Sequence, residues 1–146
     1  MELSLQNIIE NGIKFVFERT TLTEKKTNTL EKLQSSNSEN YGASSNSGDH
    51  GASSNSGYGG ASSNSGNYGA SMSVAVESSS ETNAKESVAI ATGFDCKVKG
   101  NLGSWIVVTE RNNDWEILSI VSKKVDGKKI KSDIWYKNIG GKLVEV

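Results

Sequence analysis

The apolar residues of this chain lie at its two ends. Every Val, Ile, Leu, Phe and Trp falls within residues 1–34 or 73–146, and Gly42–Ser71 contains none of them. In the first block Leu5, Ile8 and Ile9 share one helical face, with Asn11-Gly12 as a C-terminal stop. Ile13, Phe15 and Phe17 then alternate with Lys14, Val16 and Glu18, the period of a short strand. Thr21 and Glu24 form a capping box that opens a helix to about Leu33. That helix has few apolar anchors (Leu22, Leu30, Leu33) and needs a packing partner, because an isolated helix of such length is marginal.

The polar block is periodic. Gly42, Gly51, Gly60 and Gly69 are nine residues apart, as are Ala43, Ala52, Ala61 and Ala70, and Asn37, Asn46, Asn55 and Asn64. A fixed period with equivalent small residues marks a stack of like units. The reading that follows sets Ala near Ala and Asn near Asn along a solenoid. Asn ladders and small side chains then replace an apolar core, and the glycines supply tight corners. A Gly/Ser-rich linker has the same composition but no reason to keep Asn and Ala in phase.

From Ser73 onward the pattern changes. SVAV at 73–76 recurs as SVAI at 87–90, fourteen residues later. Phe94, Cys96 and Val98 alternate with Asp95, Lys97 and Lys99, which predicts a strand with Cys96 facing inward. SWIVVTER, the polar NND and WEILSIVS predict an antiparallel hairpin. Asp126-Gly127 marks another turn, and IKSDIWYK and KLVEV, joined across Gly140-Gly141, supply two more short strands. Trp105, Trp115 and Trp135 all lie here, the one stretch with the apolar mass for a conventional β core.

Composition narrows the class. The chain has 146 residues, no Pro and one Cys, so no internal disulfide forms and no oxidising compartment is implied. No apolar run approaches the roughly 18 residues of a membrane span, and the N-terminal order is not that of a signal peptide. The expectation is a cytoplasmic location, in a bacterial host. Net charge is −1, with residues 35–94 acidic and residues 95–146 carrying ten basic against seven acidic groups. Such asymmetry suits an interaction surface near the C-terminus.

Candidate chemistry is sparse. His50, the single histidine, stands beside Asp49 among serines, but the pair fills the variable end of a repeat that reads Tyr58-Gly59 and Asn67-Tyr68 elsewhere. An exposed corner explains it better than a catalytic triad. One His and one Cys are too few for a metal site, and the repeats lack the Asp of calcium-binding nonapeptides. Cys96 reads as a buried structural thiol. No phosphate-binding glycine loop is present, and no cofactor is expected. Lys123, Lys124, Lys128, Lys129 and Lys131 fall within nine residues. They make a candidate partner-binding patch for phosphate or an acidic protein surface, or else a solvated turn that protects a strand edge.

The segment SVAVESSSETNAKESVAI followed by GFDCKVKG resembles the head repeat of trimeric autotransporter adhesins, which reads roughly SVAIGxxSxAxGxx. Ser80, Thr82 and Ala84 take the Ser, Ala and Gly places of one copy, and Gly93, Cys96, Val98 and Gly100 the Gly, Ser, Ala and Gly places of the next. Ala91-Thr92 are additional, Glu77 stands where the first Gly belongs, and the nonapeptides follow another period. The resemblance implies a left-handed parallel β-roll built by three chains. The tail GSWIVV…VDGKKIKSDIWYKNIGGKLVEV, at 103–146, is similar to small repeat proteins of phages and mobile elements in Firmicutes and their relatives. That likeness implies a product acting on a bacterial host.

The fold expected is therefore mainly β: an N-terminal αβ element (1–34), a Gly/Ala/Ser/Asn repeat β-solenoid or β-roll (35–100) and a C-terminal antiparallel β module (101–146). Its oligomer core is expected at Val74, Val76, Val88 and Ile90, and the chain is expected to pair with itself as a homotrimer. The functional expectation is a non-enzymatic binding protein that engages a host protein or ribonucleoprotein complex, for example as an anti-CRISPR-like inhibitor of bacterial defence. A structural or receptor-binding role in a virion or on a cell surface is the alternative. Neither a membrane nor a nucleic acid is the favoured partner.

Overall fold

The computed structural model describes residues 34–146, and the elements expected within 1–33 lie outside the described residues. The described chain is all-β, with stacked parallel coils making a β-solenoid of about four turns and antiparallel strands at the C-terminus. Each nonapeptide contributes one four-residue strand and one five-residue corner. The strands are β1 (Gln34–Asn37), β2 (Ala43–Asn46), β3 (Ala52–Asn55), β4 (Ala61–Asn64), β5 (Ala70–Ser73), β6 (Ser79–Thr82), β7 (Val88–Ala91) and β8 (Lys97–Gly100). Then come β9 (Trp105–Arg111), β10 (Ile117–Lys124), β11 (Trp135–Ile139) and β12 (Lys142–Glu145).

Successive strands alternate between two sheets, so a full coil is two repeats. The first sheet runs β1-β3-β5-β7-β9-β10 and the second β12-β11-β8-β6-β4-β2. Equivalent positions pair in register, Ala52 with Ala70 and Asn55 with Ser73 in one sheet, Ala43 with Ala61 and Asn46 with Asn64 in the other. The solenoid closes with the expected antiparallel pairs, β9 with β10 and β11 with β12.

The interior is not what small apolar residues would suggest. In each ASSN strand the second and fourth residues point inward, and alanine faces out: Ala43, Ala52 and Ala61 are exposed whereas Ser44, Ser53, Ser62 and Asn64 are buried. Across the narrow gap between sheets the serine hydroxyls form the ladder. Ser44 Oγ lies 2.8 Å from Ser53 Oγ, which lies 2.8 Å from Ser62 Oγ. Ser71 Oγ continues the chain at 3.1 Å from Ser62 and 2.7 Å from Ser80. Backbone carbonyls share in the row, Ser53 donating to Ser44 O and Ser71 to Ser62 O, so each buried hydroxyl has a protein partner.

The asparagines do not ladder with one another. Their amides staple the backbone of the corners instead. Asn55 Oδ1 accepts from Gly57 N–H at 2.8 Å while its Nδ2 donates to Gly42 O at 2.9 Å. Asn64 Nδ2 does the same to Gly51 O at 2.9 Å. This explains the recurrent glycine. A Cβ at Gly60 would stand 2.1 Å from Asn55 Oδ1, so the position is glycine for room and not for its dihedral freedom. The left-handed residue of each corner is the variable one before it: Tyr41, His50, Gly59, Tyr68, Glu77, Glu86 and Asp95 all have positive φ.

The nine-residue phase runs unbroken through 73–100, and the fourteen-residue recurrence carries no structural period. SVAI places Val88 and Ile90 on β7, while Val74 and Val76 fall in the corner between β5 and β6. Fourteen is not a multiple of nine, so the two tetrapeptides meet different backbones. For the same reason the strand expected from Phe94 shrinks to Lys97–Gly100, with Asp95 (φ 53°) in the corner. Cys96 remains buried, its Sγ donating to Gly93 O at 3.0 Å.

Along the stack the inward positions grow less polar. The serine column continues as Ala89, Val98 and Ile106, and the asparagine column as Ser73, Thr82, Ala91 and Val108. Ile106, Val108, Val125 and Tyr136 complete an apolar core at the C-terminal end, with Ile130, Ile134 and Leu143 packed against it.

Candidate functional site: the outer face of the first sheet

Parallel register turns sequence spacing into columns on the outer face. On the first sheet one column reads Ala52, Ala70, Val88, Trp105 and the next Ser54, Met72, Ile90, Val107. Neighbouring strands stand about 4.8 Å apart, so the side chains of a column touch. Small residues give way to large ones toward the C-terminal end, where Met72 is 40% and Trp105 44% exposed. A shallow groove of about 520 Å³ crosses this face, floored by Ala52, Ala70 and Val88 and ending at Trp105. Its flank is the corner stack of His50 on Tyr68, rings parallel and 5.3 Å apart.

The second sheet presents a different outer face. Ser63 donates to Glu81 at 3.1 Å, and Glu81 pairs with Lys99 at 2.9 Å. Burial works against the Glu81 charge, but Lys99 and Ser63 outweigh it and hold the carboxyl below its ordinary range. Lys97 and Lys99 both lie over the Trp135 ring, at 5.0 and 5.1 Å. Charge and aromatic surface on that side are spent on each other. The apolar face of the first sheet has no such cover among the described residues.

The corners carry the variable residues. Tyr41 meets Tyr58 edge-on at 5.6 Å, and the Tyr58 hydroxyl bonds Glu77, which raises its pKa. Phe94 and Trp115 continue that edge at 6.2 Å. His50 and Asp49 lie on the opposite edge, where Asp49 accepts from the backbone and side-chain amide of Asn67. Cys96 is pushed up to about 11 by burial, and it sits under the corner instead of opening to a cleft. Among the described residues no three His, Cys, Asp or Glu side chains come together as a metal site would need.

The five lysines do not form one patch. Strand alternation sends Lys124, opposite Trp105, to the outer face and Lys123, opposite Ile106, to the inner side. Lys128 and Lys129 ride on a turn whose backbone N–H groups, with that of Ile130, are gathered by the Asp126 carboxylate at 2.8–3.0 Å. These bonds, that from Ile130 foremost, hold the Asp126 pKa down. Lys131 pairs with Glu145 at 2.9 Å and Lys124 with Glu86 at 3.5 Å. Of the four residues expected in an oligomer core, Val88 and Ile90 lie on the outer apolar face, and Val74 and Val76 in a corner. Trp105, Val107 and Met72 were missed by the sequence reading. The signal that points to them is the eighteen-residue spacing of Ala52, Ala70 and Val88, one full coil, from which Trp105 follows after a step of seventeen.

No family model, curated protein or solved structure matches the chain.

Proposed function

We propose that the chain is a non-enzymatic, self-associating binding protein that offers the outer face of its first sheet to a macromolecular partner. One observation carries this reading: Met72, Val88, Ile90, Trp105 and Val107 form a flat apolar strip on that face, while the opposite face is closed by ion pairs. Contiguous apolar surface on a rigid flat sheet is the usual form of a protein-binding site, and a shallow groove suits a protein surface better than a small substrate. The likeness of the tail to phage and mobile-element proteins supports a bacterial host protein or ribonucleoprotein as partner, with inhibition of a defence system as one version. The likeness to adhesin heads implies three copies, whereas the sheet edge considered below favours two. A structural role in a virion or on a cell surface is the second reading, supported by the stacked coils themselves.

The test compares host-lysate proteins retained by the parent chain, by Ile90→Asp with Val107→Asp, and by a variant with Lys123, Lys124, Lys128, Lys129 and Lys131 all changed to Ser. Proteins lost with the face variant and kept by the lysine variant support the face. The reverse pattern moves the site to the lysines, and equal retention by all three overturns a specific surface.

A further inference from the structure

We infer that β10 is a contact between two copies of this chain, joined as antiparallel edge strands so that the first sheets of both become one. The inference rests on the self-association in the reading above and names its geometry. β10 ends the first sheet and has no neighbour beyond it among the described residues. Its N-terminal half is apolar and exposed: Ile117, Leu118 and Ile120 are 49%, 59% and 61% exposed, with Leu118 at a register shift against β9. A strand edge of this kind offers unpaired backbone N–H and C=O groups beside greasy side chains, a template for another strand. The outer edge of the second sheet differs. β12 has only four residues, of which Lys142 and Glu145 are charged, and lacks a run of exposed apolar side chains like that of β10.

Charge chooses the occupant. Glu116 stands just before β10, and Lys123 and Lys124 close it. A second β10 running antiparallel, centred near Ile120, sets Glu116 of each copy opposite Lys124 of the other. A parallel copy would set lysine on lysine. The strand is thus complementary to itself in one direction only, the condition for a closed two-fold pair rather than an open filament. The Lys124 bond to Glu86 is long and exposed, and leaves the ammonium free to turn outward. Pairing also lays the apolar strip of each chain end to end across the two-fold, which doubles the face offered to a partner.

The experiment measures mass by light scattering at tens of micromolar for the full chain. The parent is expected at twice 15.6 kDa. Ile120→Asp, at an exposed site, should halve that mass without changing the circular dichroism. Lys124→Glu should halve it as well, and adding Glu116→Lys should restore the pair. Ile120→Cys should form a covalent dimer under mild oxidation, Cys96 being buried. A monomeric parent overturns edge pairing and self-association together. A trimer unmoved by Ile120→Asp but lost with Ile90→Asp overturns edge pairing alone and leaves the sheet-face reading standing.

Discussion

The two ends of the solenoid keep the same backbone with opposite interiors. Around β2 to β6 the space between the sheets is filled by Ser44, Ser53, Ser62, Ser71 and Ser80, bonded oxygen to oxygen. Around β7 to β9 the same column is Ala89, Val98 and Ile106, all fully buried. The strand pairing does not change between them. Backbone ladders thus set the architecture, and a hydrogen-bonded or an apolar interior fits it equally. The difference is in where the energy comes from. A buried aliphatic side chain contributes about 1.5–3 kcal/mol through area removed from water. A neutral hydrogen bond contributes a net of about 0.5–1.5 kcal/mol and penalises loss of a partner heavily.

The largest test is one of phase. Deleting Gly51–Tyr68 removes one whole coil, β3 and β4, and every remaining strand keeps its sheet. Deleting only Gly51–Asn55 puts corners where strands belong and strips buried serines and asparagines of partners, at about 1–3 kcal/mol each. The shorter deletion should lose the cooperative melting of the polar coils, and the longer one should melt near the parent. Two equally stable deletions, measured by circular dichroism, would reduce the repeat to a tether.

Next in size is the apolar end. Ile106→Ala should lower stability by about 2–5 kcal/mol in denaturant titration, since the side chain is wholly buried in the core. At the polar end Ser62→Ala leaves Ser53 and Ser71 each short of one partner and should cost about 1–3 kcal/mol. Changing all five ladder serines to Ala removes donors and acceptors together. It should cost less than five times the single change, because no hydroxyl is left facing a missing neighbour. A strictly additive loss would show that the row is not a mutual network.

A smaller effect separates the two outer faces. The Glu81 carboxyl titrates below its ordinary value, so it contributes stability above that value and loses it as pH falls through the folded-state pKa. Lys99 is shifted upward: burial works against its charge, but Glu81 outweighs burial, so its contribution holds below the ordinary lysine range and fades as pH rises through the folded-state pKa. Lys99→Met should therefore flatten the acid limb of the melting-temperature profile, while Val107→Thr on the other face should not. The smallest effect is at Cys96. With its pKa pushed up to about 11 by burial, it should resist alkylation at neutral pH until the chain unfolds. Fast labelling of the native protein would place it outside the core.

Several features were legible in the sequence because they are local or periodic. The nine-residue spacing of Gly, Ala and Asn announced stacked units, and the His50, Gly59 and Tyr68 corners followed from being its variable places. The hairpin of β9 and β10 and the pair β11–β12 were visible from alternation and turn residues. Cys96 was rightly placed inside, although its strand was not. What misled was chemistry read without a partner: the recurrence of SVAV and SVAI suggested a period that the stack ignores.

By itself the sequence determined the repeat length, the presence of corners and the end at which apolar mass collects. Which side of each ASSN strand faces in was decided only when two sheets closed on each other. Alternation assigns faces when one is greasy and the other is not, and here both Ala and Ser are small. The choice fell to Asn, whose amide reaches the corner carbonyls only from inside, and Ser44 or Ser53 two residues earlier had to follow it. Alanine was left outside. The same closure brought Ala52, Ala70, Val88 and Trp105, scattered over more than fifty residues of chain, into one column, because parallel strands one coil apart meet in register and nothing in local sequence marks that distance.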